Sequence, residues 1–297
     1  MSSQTKRSES PGQALQRVCH HHLGKALACL ERSGHPDGVH EVRKELKKLR
    51  AIFRLSRAGL TRKEYRKAAE AMRLAAKPLA AWRDARVTRR ALETLVGSRM
   101  RRFSKIHSAL KAACEQAGRR FKALDYGPIA KLLLQEVAER LDDAKLKRVR
   151  WTDIRKRLGK SYAQGRDAYL RAMRLPTPDH LHGWRKRVKD LGYQLDFLCP
   201  AWPDETQTML DSLKKLGNEL GDDHDLVLLQ NFAREQCGPS EETQALDRLI
   251  EARRQLHDTN VRQLGSHLYQ QMPEEICAQV EQDWKAWRSA AAVAVGC

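Results

Sequence analysis

Apolar residues in this chain return every three or four positions. Between residues 39 and 53, Val39, Val42, Leu46, Leu49 and Phe53 fall on one side of a helix turning about 100° per residue, while His40, Arg43, Lys44 and Lys47 fall on the other. Between residues 181 and 195 the same division returns, with Leu181, Trp184, Val188, Leu191 and Leu195 opposite His182, Arg185, Lys186 and Lys189. Helical periodicity runs from Gln13 onward, interrupted at Ser33 to Gly38, Gly59, Tyr126-Gly127-Pro128, Leu175 to Pro178, Pro200 to Pro203, Gly238-Pro239 and Pro273. Thr61 and Asp179 read as helix caps and Gly59 as a helix stop. No segment reads as a strand. The expectation is an all-α protein of roughly ten to twelve helices packed as bundles.

The two amphipathic segments share His-x-x-Arg-Lys-x-x-Lys, 142 positions apart. Each is followed by more helical sequence and then by an Arg/His-Asp pair, Arg83-Asp84 in one half and His224-Asp225 in the other. This period predicts an internal duplication, with a first helical repeat over residues 11–145 and a second over 150–297. Two related bundles would then pack around an approximate two-fold within one domain. Residues 1–10 are expected to be a disordered tail, and residues 239–290, which carry no motif, to pack the second half.

Composition narrows the functional classes. With 41% hydrophobic residues the chain can bury a core, and no apolar run approaches the roughly 20 residues of a membrane span. The polar amino terminus lacks a signal-peptide centre, so the expected location is the cytoplasm, with no membrane partner. Seven scattered cysteines do not describe a disulfide framework. Cys19 beside His20, His21 and His22 is the one cluster with metal-ligand chemistry, and it reads as a surface feature of the first helix.

Charge changes the picture most. The net charge is +19, but 47 basic and 20 acidic residues lie up to position 200, against 9 and 17 after it. Such segregation predicts a positive surface facing a polyanion. An ordinary solvated helix face mixes signs and gains from i,i+4 ion pairs, whereas the two motif faces are almost purely positive. Arg50 and Arg54 extend the first row; the second has Gly192 and Asp196 at the corresponding positions. Arg66, Arg73 and Lys77 line up on the next helix, and Lys214 and Lys215 stand at the counterpart positions of the second half. A row of cations along a helix suits a linear anion better than a small one.

These residues resemble the CHAD domains, the conserved-histidine α-helical domains. The resemblance rests on His40 to Arg50, on His182-Gly183-Trp184-Arg185-Lys186, and on the Leu-x-x-x-Arg/His-Asp pattern at Leu79 to Asp84 and Leu220 to Asp225. It implies two four-helix units whose basic residues line a central channel or groove that binds inorganic polyphosphate, in association with polyphosphate granules and their proteins. The implied polyphosphate-binding residues are His40, Arg43, Lys44, Lys47, Arg50, Arg54, Arg73, Lys77, His182, Arg185, Lys186, Lys189, Lys214 and Lys215. No cofactor, metal or catalytic residue is implied.

Two other readings compete. Nucleic acid shares the phosphate backbone, but single-strand binders interleave aromatic platforms with their cations, and aromatic content here is 6%, with Trp82, Trp151 and Trp184 among apolar neighbours. Asp222-Asp223-His224-Asp225 looks like the His-Asp pair of a metal-dependent phosphohydrolase, yet Arg83 occupies the first-half position of His224. A helix cap explains that cluster instead. With no Walker A loop, Gly-x-Ser-x-Gly or His-Glu-x-x-His, the chain reads as non-catalytic. For His40 and His182 themselves, ligand contact and a structural cap or core role both stand.

Overall fold

The computed structural model describes residues 3–31, 36–200 and 202–290. Among them the chain forms α1 (Pro11–Glu31), α2 (Pro36–Phe53), α3 (Arg62–Ala76), α4 (Leu79–Val96), α5 (Ser104–Ala123), α6 (Tyr126–Asp143), α7 (Trp151–Arg174), α8 (Pro178–Leu198), α9 (Asp204–Cys237), α10 (Glu241–Leu268) and α11 (Pro273–Ser289), with short 3₁₀ turns and no strand. The fold is all-α, as periodicity predicts. None of these helices is long and apolar enough to cross a membrane. Cys297 and most of the break at Ser33 to Gly38 lie outside the described residues.

Helix starts follow local chemistry. Thr61 caps α3: its hydroxyl accepts from the Glu64 amide, and the Glu64 carboxylate accepts the Thr61 amide at 2.7 Å. Asp179 is not the cap of α8. Thr177 is, because Pro178 at the first helical position sets the start, and the Thr177 hydroxyl accepts from the His180 amide at 3.3 Å. The expected break at Tyr126-Gly127-Pro128 is also displaced. Asp125, at φ 38°, makes the turn, and these three residues form the first turn of α6, where proline's missing N–H costs nothing.

Helices α1, α2, α3 and α6 pack together, as do α7, α8, α9 and α11, and α2 meets α8 between the two groups. One continuous core runs through both, from Leu15, Leu46 and Phe53 to Trp184, Leu213 and Trp284. A second core does not follow the division into halves. It joins Leu92, Phe103 and Leu110 of α4–α5 to Leu226, Leu229, Leu246 and Ile250 of α9–α10, because α9 continues beyond the first core. Residues 239–290 therefore also contact the first half through α10 and α5.

The amino-terminal segment is not a loose tail where it is described. The Thr5 amide and hydroxyl both donate to the Phe197 carbonyl at 2.9 Å, and Arg288 donates to the Glu9 carbonyl at 2.8 Å. The Cys19-His cluster is not a surface feature either. Cys19 is fully buried, which pushes its thiol up to about 12, and His22 is bonded to Glu45 of α2 at 2.6 Å inside the core. The periodicity of α1 turns both inward.

Candidate functional site

The apolar stripes of α2 and α8 are buried, apart from the partly covered Leu181, so their cationic faces are set by what packs beside them. The Gln194 side-chain amide donates to the Ala51 carbonyl at 3.0 Å, a buried bond that fixes α8 against α2. In that register both rows border one cleft of about 630 Å³. Arg43, Lys47, Arg50 and Arg54 approach from the first half, and His182, Arg185, Lys186 and Lys189 from the second. Arg83 of α4, Arg171 of α7 and Arg187 bring the lining Arg and Lys to ten, against the carboxylates of Asp84, Asp179 and Asp190.

The cleft is crowded with like charge. Water reaches Lys47 through the open mouth, but loss of hydration, then the fields of Arg83, Arg185, Arg43 and Lys189, bring its ammonium down to about 7. Burial likewise lowers Arg43, Arg50, Arg185 and Lys189. Desolvation, aided by His224, Lys186, Arg185 and Lys47, lowers His182 to about 4. Among the described residues the His182 Nδ1 and the Nε atoms of Arg43 and Arg185 are buried without hydrogen-bond partners. Unsatisfied donors gathered in a positive cleft are what an anion's oxygens can fill.

Neighbouring helices give these side chains room. A Cβ on Gly221 would lie 2.8 Å from Arg185 Nη2, and one on Gly217 2.9 Å from Lys189 Cε, so the two glycines of α9 form the surface on which both cations lie. Lys189 Nζ donates to Asn218 Oδ1 at 3.1 Å, and Arg43 Nη1 to the Ala76 carbonyl at 3.3 Å. The Arg/His-Asp pairs also meet here. Arg83 bonds Asp84 at 3.0 Å and stands 3.7 Å from Asp225, while His224 stacks on His182.

Asp222 to Asp225 is not a helix cap. The cluster sits in the middle of α9, which starts at Asp204, and Asp223 accepts from Arg254 Nε at 2.7 Å. Among the described residues no three His, Cys, Asp or Glu side chains are placed to hold a metal ion.

The remaining expected cations lie elsewhere. His40 is exposed beside the cleft, where desolvation and, among its neighbours, Lys44, Arg83 and Lys47 lower its pKa. Lys44 pairs with Glu41 at 3.2 Å, and Lys214 with Asp211 at 3.1 Å; Lys77 and Lys215 are exposed and do not line the cleft. Arg73 pairs with Glu70 in a separate groove on α3, which Arg66 also lines. Sequence reasoning passed over Arg83, Arg171, Arg187 and Tyr193 as lining residues and weighed His224 only as a metal ligand. For Arg83 and His224 the signal was the repeated Arg/His-Asp pair; for Arg171 there was none.

Comparison with curated proteins gives no match. The structure is similar to the crystal structure of the CHAD domain from the plant Ricinus communis, with a TM-score of 0.64 and 18% identity over 88% of this chain and 93% of that one. The sequence model of the CHAD domain matches residues 14–234. The chain belongs to the CHAD domain family.

Proposed function

We propose that this protein binds inorganic polyphosphate in the cleft between α2 and α8, without turning it over, and so attaches to or organises polyphosphate granules. The observation that carries this reading is that the cationic faces of two helices 142 positions apart in sequence border one cavity and, among the described residues, leave Arg43 Nε, Arg185 Nε and His182 Nδ1 unpartnered. The reading takes the two motif segments as copies of one duplicated unit, each supplying half of a longer anion site.

Polyphosphate is a flexible chain of ionised phosphates without bases, so charge, hydrogen-bond geometry and width are all that a site can recognise. Arginine forks at Arg43, Arg83 and Arg185 match phosphate oxygens, and Lys47 and Lys189 add mobile charge between them. Trp184 and Trp82 are buried, which leaves them no role as stacking platforms for bases. The released counterions make such binding steeply salt-dependent.

The test is a salt-titrated binding measurement on Arg43→Ala, Arg185→Ala and the double variant. Each replacement should weaken binding and flatten the log–log salt slope by about 1, with the fold retained. Unchanged affinity in all three removes the proposal.

A further inference from the structure

A second basic groove, of about 1110 Å³, opens on α3 and shares Arg50 and Arg54 with the central cleft. Its floor includes Phe53, Met72 and Leu133, with Tyr65 stacked on Phe53 at a ring separation of 5.0 Å. Along it stand Arg62, Lys63, Arg66 and Lys67, all exposed. Among the described residues none of these four has a carboxylate partner, because the nearby acids are engaged: Glu64 in the cap with Thr61, Glu70 with Arg73, and Glu136 with Arg140.

The placement of these four cations works against the helix that carries them. They occupy the first two turns of α3, where the helix dipole disfavours positive charge, and the i,i+4 pairs Arg62–Arg66 and Lys63–Lys67 repel each other. A local sequence choice that opposes its own element, beside a cavity joined to a cationic cleft, points to a ligand rather than to folding. Asp190 marks the junction: it forms an ion pair with Arg54 at 2.7 Å and lies 4.0 Å from Arg187.

We propose that the α3 groove is a second segment of the anion path, so that a linear phosphate polymer seated in the cleft continues past Arg50 and Arg54 and along α3. This rests on the reading of the cleft as a polyphosphate site. Chains too short to leave the cleft gain nothing from the groove, whereas long ones are held by both segments.

The experiment compares tripolyphosphate and long-chain polyphosphate on the unsubstituted protein, on Arg62→Gln/Lys63→Gln/Arg66→Gln/Lys67→Gln, and on Arg43→Ala/Arg185→Ala. In the quadruple variant, long-chain affinity should fall about tenfold or more and its log–log salt slope by about 3 to 4, while tripolyphosphate affinity holds. Its thermal midpoint should hold or rise, since charges opposed to the dipole have been removed. The cleft variant should weaken both ligands. An unchanged long-chain affinity, or equal losses for both ligands, overturns the second segment and leaves the cleft reading standing. Failure of the unsubstituted protein to bind either ligand removes both.

Discussion

His182 lies face to face with His224, their ring centroids 4.1 Å apart and their planes inclined by 25°. The two rings come from α8 and α9, and around them stand Arg185, Lys186, Lys47 and Arg83, with Asp225 and Asp84 on the acidic side. Desolvation first, then these cations, favour the neutral rings and lower both pKa values, that of His182 to about 4. A base whose folded pKa is depressed takes up its proton more readily in the unfolded chain. Its stabilisation is complete above the ordinary histidine pKa and is lost as pH falls from about 6.5 towards 4. Thermal midpoints measured without ligand should drop over that window, and less so in His182→Gln. A bound polyanion reverses the field, so polyphosphate affinity should rise over the same interval. An affinity independent of pH there would dissociate the histidine pair from binding.

Lys47 is a second proton-linked group, acting nearer neutrality. Its ammonium, lowered to about 7, is partly uncharged in the ligand-free protein at pH 7. An anion between Lys47, Arg185 and Arg83 restores the charge, so binding near pH 7 to 8 should take up protons from the buffer. Calorimetry in buffers of different ionisation enthalpy reads this number directly. Lys47→Arg, charged throughout, should remove that part of the uptake and leave the histidine part at lower pH.

Gly221 offers a test of geometry without loss of charge. In Gly221→Ala the new methyl group occupies the place of the Arg185 guanidinium, which is the movable end of its side chain. Alanine favours the helix by about 0.5–1 kcal/mol over glycine. The expected result is equal or greater stability in chemical denaturation, together with weaker polyphosphate binding. Binding as tight as in the unsubstituted protein would mean that the position of Arg185 on α9 is immaterial.

The His22–Glu45 bond belongs to folding. Glu45 lies in the motif of α2 but points away from the cleft, into the interface with α1, and both side chains are almost wholly buried. Removing one partner of such a pair leaves the other charge stranded, a loss of about 3–5 kcal/mol. His22→Leu should therefore lower the denaturation midpoint strongly. The salt slope of binding by the remaining folded protein should not move.

The sequence made the helices legible because each carries a stripe such as Val42, Leu46 and Leu49 with one reachable core. It also singled out both sides of the site, Arg43 and Arg185, through a repeated motif. A helical wheel says which residues share a face but not which neighbour covers it. That is why Lys214, Lys215 and Lys77 read like Lys189 in sequence, although only Lys189 is roofed by another helix. Arg171 reaches the cleft only through the packing of α7 on α8, a tertiary fact with no local signature. The caps divided similarly: Thr61 had its Glu64 partner within reach of a sequence pattern, whereas the left-handed turn at Asp125 fell on a residue that permits it without demanding it.

The 34 residues of α9 run without a break. At 1.5 Å per residue this is a rod of about 50 Å. Near its middle it offers Gly217, Gly221 and His224 to the cleft, and farther along it inserts Leu226, Leu229 and Ala233 into the distal core. Such a girder ties remote packing to local aim, because the rod anchored in the distal core is also the bench on which Arg185 and Lys189 rest.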